Sequence, residues 1–235
     1  VSGDVIAAAR VPSGKTRAVV YWLGVLMSLF HLWSNSIGLL PEIQRNAIHY
    51  AFVLGLGCLL FPLSRRRAHQ VLGLDYALSI ASVLAAAYLV MFEEALHARN
   101  QVLNSLDLVF AAGAVLCLLE AARRTVGSFI PALSIFFLSY ALWWGRWLDG
   151  IWHFPGVSAT RLLYRMYFAP DGIFGTVATV SSTFVALFVL FGAFLLRSGA
   201  GEFMIRLALS LLGRSVGGPA KMAAIASGML GSISG

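Results

Sequence analysis

The sequence contains few charged residues. Only 11% of its 235 residues are Asp, Glu, Lys or Arg, whereas 59% are hydrophobic. A soluble domain carries about 25% charged residues, so this chain cannot cover itself with an ordinary water-facing surface. The composition therefore excludes a soluble globular domain and indicates an integral membrane protein, with the lipid bilayer as its surroundings.

Cysteine is also scarce. Cys58 and Cys117 both fall in apolar stretches, where free cysteines behave as small buried hydrophobic residues. Cys and His show no metal-binding spacing, so we expect no metal cluster or organic cofactor. Carboxylates are absent from the middle of the apolar stretches, which argues against a proton pump. The net charge of +7 does not indicate a nucleic-acid partner, because the basic residues stand in short runs between apolar stretches.

Six apolar stretches approach the length of about 20 residues that a transmembrane helix needs. They predict spans at about 18–40, 47–63, 76–92, 106–122, 130–148 and 176–196. The predicted fold class is an all-α integral membrane protein. We expect His49, at the start of the second span, to reach toward the interface. Glu120 should pair with Arg124, four residues later near the end of the fourth span.

An intramembrane enzyme is a weak alternative. Such hydrolases need a nucleophile beside a base or a metal cluster. Serines 134, 139, 181 and 182 lie in the predicted spans, but we expect no His or Asp at a matching depth. Serines in membrane helices usually hydrogen-bond within their own helix or to a neighbouring one, and we expect that role for these.

The sixth span is followed by a different pattern. Glu202, Arg206 and Ser210 are four residues apart, which gives the stretch 202–213 one polar helical face. This pattern predicts one amphipathic helix at the membrane interface. A short tilted span is the alternative.

The last stretch, 217–235, is apolar enough for a membrane but too short to cross it. Irregular backbone survives in hydrocarbon only where protein or a cavity surrounds it. A short segment that breaks at Ser-Ile-Ser-Gly therefore predicts the first arm of a re-entrant hairpin, the kind of tip where secondary transporters place their sites. The alternative is a small-residue face for helix packing.

Lysine and arginine predict the orientation. With the N-terminus in the cytoplasm, twelve of the 17 fall inside: Arg10, Lys15, Arg17, Arg65, Arg66, Arg67, Arg123, Arg124, Arg197, Arg206, Arg214 and Lys221. The other five fall outside: Arg45, Arg99, Arg146, Arg161 and Arg165. The asymmetry favours a cytoplasmic N-terminus, and the re-entrant segment then enters from the cytoplasmic side.

Several motifs resemble one transporter family. They are FVLFGAFLLRSGAGEF at 188–203, GGPAK at 217–221 and ASGMLGSISG at 226–235, with further likeness at 47–62 and 167–175. They resemble the permease of tripartite ATP-independent periplasmic (TRAP) transporters, and most of all the fused permease that works with TAXI-type binding proteins. The sequence begins without Met and stops within a motif, so we expect an N-terminal fragment.

The resemblance implies three regions and a function. Residues 1–148 would form a small-permease-like scaffold with a linking helix, 149–175 an extracytoplasmic link, and 176–235 the start of the large transport segment. An elevator-type carrier in the bacterial inner membrane would use Na+ as coupling ion and take up small organic acids delivered by a periplasmic binding protein. A non-transporting helical membrane anchor or assembly subunit is the alternative function.

The resemblance also implies a site at the first hairpin tip. Ser232, Ser234 and Gly235 would bind substrate there and coordinate Na+ through hydroxyl or carbonyl oxygens. Five further residues would have structural roles in the same segment, close helix approach among them: Gly217, Gly218, Pro219, Gly228 and Gly231.

Overall fold

The computed structural model of the chain describes residues 9–63, 71–99 and 102–212, together with 220, 221, 223–225, 227, 228 and 231. Within these ranges the regular structure is helical and contains no β-strand. The predicted all-α fold class is therefore confirmed.

The described ranges contain eight helices: α1 (Gly14–Ser36), α2 (Glu42–Leu60), α3 (Gly73–Ala98), α4 (Ser105–Thr125), α5 (Phe129–Leu142), α6 (Ala159–Tyr167), α7 (Thr176–Arg197) and α8 (Ala200–Leu212). Two 3-10 turns, Trp144–Trp147 and Gly150–Trp152, follow α5. Helix α7 is continuous but has π-helical hydrogen bonding over Ser181–Val185. Proline marks both ends of α2, since Pro41 precedes the helix and Pro62 follows it, and neither has an N–H to extend it.

Four helices are long and apolar enough to cross a membrane: α1, α3 over Gly73–Leu96, α4 and α7. They correspond to the first, third, fourth and sixth predicted spans, so the chain is a multi-pass membrane protein. Helix α2 has 19 residues, but its first turns are polar. Helix α5 has only 14 residues and ends at Leu142 instead of reaching 148, because the chain turns there into 3-10 structure. The number of six spans stays a prediction.

The core lies where α2, α3 and α4 pack together. Small buried residues bring these helices close: Ala47, Ala85, Ala86, Ala111 and Ala114. Lipid is as apolar as a leucine side chain, so close packing of small residues and interhelical hydrogen bonds hold membrane helices together. Both occur here, since the Ser79 hydroxyl donates to the Gly55 carbonyl at 3.0 Å. The Tyr50 hydroxyl likewise donates to the Ala114 carbonyl at 2.7 Å.

The end of the predicted link 149–175 lies inside the bundle, which the sequence did not lead us to expect. Tyr167, Phe168 and Phe174 are buried in the core. The Tyr167 hydroxyl donates to the Ala85 carbonyl in the middle of α3. The Phe174 ring packs edge-on against Tyr50, with centroids 5.2 Å apart. These aromatic rings therefore anchor the entry to α7.

The turn that leads into α7 depends on two glycines. A Cβ on Gly172 would overlap the Arg165 carbonyl oxygen, and a Cβ on Gly175 would overlap the Pro170 carbonyl oxygen. The chain folds back so tightly here that only hydrogen fits at both positions. This tight turn places the first residues of α7 against the polar start of α2.

A buried charge cluster ties one end of the bundle together, where α2 and α4 end and α3 begins. Asp75 accepts from Arg10 at 2.8 Å and from Arg124 at 2.7 Å, and the carboxylate and both guanidinium groups are almost fully buried. Arg124 also binds Glu120 at 2.7 Å, which confirms the predicted pair. Both guanidinium groups reach carbonyls at the C-terminal end of α2 as well. The carbonyls and carboxylates together satisfy charges that would be costly to bury alone.

A second buried carboxylate lies at the opposite end, where α3 ends and α4 begins. Asp107 accepts from the Tyr88 hydroxyl at 2.6 Å and pairs with Arg99 at 3.1 Å. It also closes a capping box with Asn104 at the start of α4. The two clusters fix the ends of neighbouring helices, while the apolar core fills the space between them.

Candidate functional site: a buried polar junction of α1, α2 and α7

The largest group of buried uncharged polar side chains lies where α7 meets α1 and α2. Helix α1 contributes His31 and Asn35, and α2 contributes Asn46 and His49. Helix α7 contributes its π-helical segment and the turn before it. We call this group the polar junction. It joins the helices of the first half of the chain to the first long helix of the second half.

A chain of hydrogen bonds runs through the two histidines. His31 Nδ1 lies 2.7 Å from the Met27 carbonyl oxygen, and His31 Nε2 lies 2.8 Å from His49 Nδ1. His49 Nε2 lies 3.0 Å from the Ser181 hydroxyl. Among the described residues no carboxylate contacts either ring, and an unpaired buried charge is costly, so both rings are assigned as neutral.

The Met27 carbonyl sets the direction of donation along this series of hydrogen bonds. A carbonyl can only accept, so the proton of neutral His31 is on Nδ1 and its Nε2 is the acceptor. His49 must then donate from Nδ1, which leaves its Nε2 to accept the Ser181 hydroxyl proton. One backbone carbonyl therefore determines the tautomers of both rings. The series of hydrogen bonds ends at Ser181, in the π-helical segment of α7.

Asn46 is the second link to α7 and is fully buried. Its amide nitrogen donates to the Phe174 carbonyl at 2.7 Å and to the Thr179 hydroxyl at 2.8 Å. Its amide oxygen accepts the Ser182 hydroxyl at 2.7 Å. The Thr179 hydroxyl in turn donates to Glu42 at the start of α2. Asn46 thus uses its donors and its acceptor on a single helix and on the turn before it.

Asn35 contacts the same segment from α1. Its amide donates to its own helix at the His31 carbonyl, 2.8 Å away, and to the Ser182 carbonyl at 3.0 Å. The wider turn of a π-helix displaces the backbone hydrogen bonds of an α-helix, and such segments are frequent at functional sites. Side chains from α1 and α2 therefore engage both the backbone and the hydroxyls of this segment.

A cavity of about 280 Å³ adjoins the histidine chain. Its polar wall is formed by Ser28, His31, His49 and Ser181, and its other walls are apolar residues of α1, α2 and α7. Beyond the π-helical segment α7 changes character, because Ala186–Arg197 contains no buried residue. The arrangement can hold the first half of α7 firmly to α1 and α2, while its second half is only partly covered by described residues.

Two sequence predictions are wrong at this junction. His49 does not reach toward the interface, because it is buried and bonded to His31. Ser181 does have a histidine at its depth, since His49 lies 3.0 Å away. This Ser–His pair lacks a carboxylate to orient the base, because His31 occupies the second ring nitrogen. The helical spacing of residues 31, 34 and 35 on α1, and of 46 and 49 on α2, was the available signal for a shared polar face.

The tip residues predicted from sequence lie mainly outside the described residues. These are Ser232, Ser234 and Gly235, together with Gly217, Gly218 and Pro219. Gly228 and Gly231 are described, and both are helical and exposed. A Cβ on either would meet no described atom within 4 Å. Their predicted role in close helix approach, like the Na+ and substrate site, stays a prediction.

The predicted amphipathic helix is present as α8. Glu202 and Arg206 lie on one face and form an ion pair at 2.6 Å, as their four-residue spacing predicts. Both side chains are largely exposed. The position of α8 relative to a bilayer stays a prediction.

Comparison with protein families shows that part of this chain matches a known family. Residues 114–235, just over half of the chain, match the family described as tripartite ATP-independent periplasmic transporter, DctM component. The match begins within α4 and includes α5 to α8 and the terminal segment. No curated protein and no solved structure matches the chain significantly. The chain therefore belongs to the DctM family of membrane permeases of tripartite ATP-independent periplasmic transporters.

Proposed function

We propose that this permease performs Na+-coupled uptake of small organic acids, which a periplasmic binding protein of the TAXI type delivers to it. The protein would lie in the bacterial inner membrane with its N-terminus in the cytoplasm. The observation that carries the proposal is the DctM match over 114–235. That family is one of transporters, so the reading as an enzyme and the reading as a passive anchor are both disfavoured.

The described helices suit the role of a scaffold. Buried ion pairs fix both ends of the bundle, and small residues pack its centre. The polar junction holds the start of α7 against α1 and α2. An elevator-type carrier needs such a fixed part, against which a second part moves. In this proposal the moving part begins beyond the π-helical segment, where α7 contains no buried residue.

The transport site would lie in the terminal segment. Small residues at a helix break leave peptide carbonyls free to face an ion, and Na+ prefers oxygen ligands as other hard cations do. In this proposal Ser232, Ser234 and Gly235 provide those oxygens at the tip of a re-entrant hairpin. The segment enters from the cytoplasmic side in this proposal. This side follows from the cytoplasmic N-terminus, which the uneven distribution of Lys and Arg between the two sides favours.

Reconstitution tests the coupling. The full-length permease is placed in proteoliposomes with its binding protein, and uptake of labelled organic acids is measured with and without a Na+ gradient. We expect uptake to follow the gradient, and Ser234→Ala to raise the Na+ concentration for half-maximal uptake. Ser198→Ala is the matched control, since among the described residues that exposed hydroxyl bonds just the Leu195 carbonyl at the end of α7. Uptake that is indifferent to Na+ would contradict the proposal.

Cysteine labelling tests the re-entrant geometry and the orientation independently. Single cysteines are introduced at Lys221 and Ser234 in the full-length protein, and impermeant reagents are applied from each side. Re-entry predicts that both positions are labelled from the cytoplasm. Labelling from opposite sides would show that the segment crosses the bilayer.

A further inference from the structure

A large cavity lies at the end of the bundle opposite the Asp75 cluster. It has a volume of about 770 Å³ and lies between α6 and the turn that joins α3 to α4. Val102, Leu103 and Ala169 form apolar parts of its wall. Thr160, Arg161 and Arg165 line it from the exposed face of α6. None of the residues of the polar junction lines this cavity.

The charge of this cavity is unbalanced. Arg161 and Arg165 are four residues apart on one short helix, where like charges repel and destabilise the helix. Asp171 pairs with Arg165 at 2.6 Å and neutralises it. No described carboxylate oxygen lies within ion-pair distance of Arg161. Its exposed guanidinium therefore presents an uncompensated positive charge, with donors in a planar fork that suits a carboxylate.

Three further polar side chains line the wall, and the Ser158 hydroxyl among them accepts the backbone N–H of Arg161. Burial raises the pKa of the Tyr164 hydroxyl, and the nearby Asp171 charge raises it further, so this phenol stays protonated and can donate. Thr160 adds an exposed hydroxyl at the rim. The cavity is thus concave, partly apolar and rich in hydrogen-bond donors, a combination that suits an acidic protruding side chain.

We propose that this cavity is a docking site for a carboxylate-bearing loop of the periplasmic binding protein, with Arg161 as the contacting cation. The proposal rests on the proposed function, because the proposed orientation puts this end of the bundle on the periplasmic side. A charged rim contact of this kind speeds the encounter of two proteins and selects the partner more than it adds affinity. Arg165 has a positioning role, since its pair with Asp171 holds the end of α6 beside the following turn.

Binding measurements on the full-length permease in nanodiscs test this inference. The probe is the purified cognate periplasmic binding protein, and its association rate and affinity are measured at low and at physiological ionic strength. We expect Arg161→Glu to weaken binding about fivefold, mainly through a slower association rate, and to flatten the dependence on salt. Arg161→Lys should retain most of the wild-type affinity.

Arg146→Glu is the matched control for Arg161→Glu. Arg146 carries the same charge at the same end of the bundle, but its guanidinium bonds the carbonyls of Trp143 and Leu142 and does not line the cavity. We expect it to bind the partner like the wild type. Equal affinity and equal salt dependence of the wild type and Arg161→Glu would overturn the docking site.

Two further outcomes separate the sources of failure. If the wild-type permease fails to bind the binding protein at all, the proposed function is in question rather than the cavity alone. If millimolar succinate weakens partner binding to the wild type but not to Arg161→Gln, the cavity is a site for small organic anions, and the docking proposal is overturned. An unchanged affinity in succinate supports docking.

Discussion

Replacing Asn46 by leucine is the sharpest test of the polar junction. Asn46 is fully buried, and its amide makes three hydrogen bonds of 2.7–2.8 Å to the turn before α7 and to α7 itself. Leucine keeps the branching of asparagine at Cγ but is larger and has no polar atom, so the substitution removes the bonds without opening a cavity and adds some overpacking to the loss. Hydrogen bonds within membrane proteins contribute about 0.6–1 kcal/mol each. We therefore expect a loss of about 2–3 kcal/mol, a roughly 30- to 150-fold change in the folding equilibrium.

Unfolding of the full-length permease by SDS titration in mixed micelles measures this loss. Ser134→Ala is the control, because within the described part of the chain that exposed hydroxyl bonds just the Ile130 carbonyl of its own helix. We expect the control to change stability by less than about 0.5 kcal/mol. A loss below this value for Asn46→Leu would refute the reasoning, since the three bonds would then contribute nothing that lipid or water cannot replace.

A double-mutant cycle assigns part of the loss to one contact. The Ser182 hydroxyl donates to the Asn46 amide oxygen, so Asn46→Leu already removes the bond that Ser182→Ala would remove. The double variant should therefore lose about 1 kcal/mol less than the sum of the two single variants. Asn46→Leu combined with Ser134→Ala should be additive, because the two sites share no contact. Additivity in both pairs would contradict the structure of the junction.

Two further substitutions test the turn before α7 and the buried charge cluster. Gly175→Ala should destabilise the permease by about 2 kcal/mol or more in the same titration, because its Cβ would overlap the Pro170 carbonyl oxygen. Gly192→Ala, where a Cβ meets open space, should leave stability unchanged or raise it slightly. Equal changes in stability for Gly175→Ala and Gly192→Ala would contradict the tight turn. Asp75→Asn should cost about 3 kcal/mol, because it leaves two buried arginines facing a neutral amide. Asp171→Asn removes an exposed ion pair and should cost less than about 1 kcal/mol. If Asp75→Asn and Asp171→Asn cost the same, the Asp75 pairs would not be stabilised by their burial, and the reasoning would be refuted.

Local patterns in the sequence were enough for the class of the protein and for most helices. Apolar stretches of membrane length marked α1, α3, α4 and α7, and the spacing of Glu202 and Arg206 marked the polar face of α8. The pair of Glu120 with Arg124 followed from four-residue spacing alone. These features depend on contacts within one helix, which neighbouring residues determine.

The polar junction could not be derived in the same way. His31 and His49 are separated by 18 positions, and Asn46 is separated from Ser182 by 136. Helical spacing groups these polar residues only within one helix and does not show which helices meet, and the expected place for His49 was the interface. The buried end of the link was missed for a related reason, since Tyr167 and Phe174 stand beside a proline–glycine turn that resembles exposed loop sequence.

The sequence alone determined that this chain is helical, enters a membrane repeatedly and carries permease motifs, because hydropathy and helical spacing act over a few residues. Only the tertiary structure decided which polar side chains meet and which charges stay uncompensated. Buried polar groups in a bilayer must find partners within the protein, and their partners here come from helices far apart in the chain. Packing therefore turned scattered histidines and asparagines into one junction and left Arg161 exposed beside an open cavity.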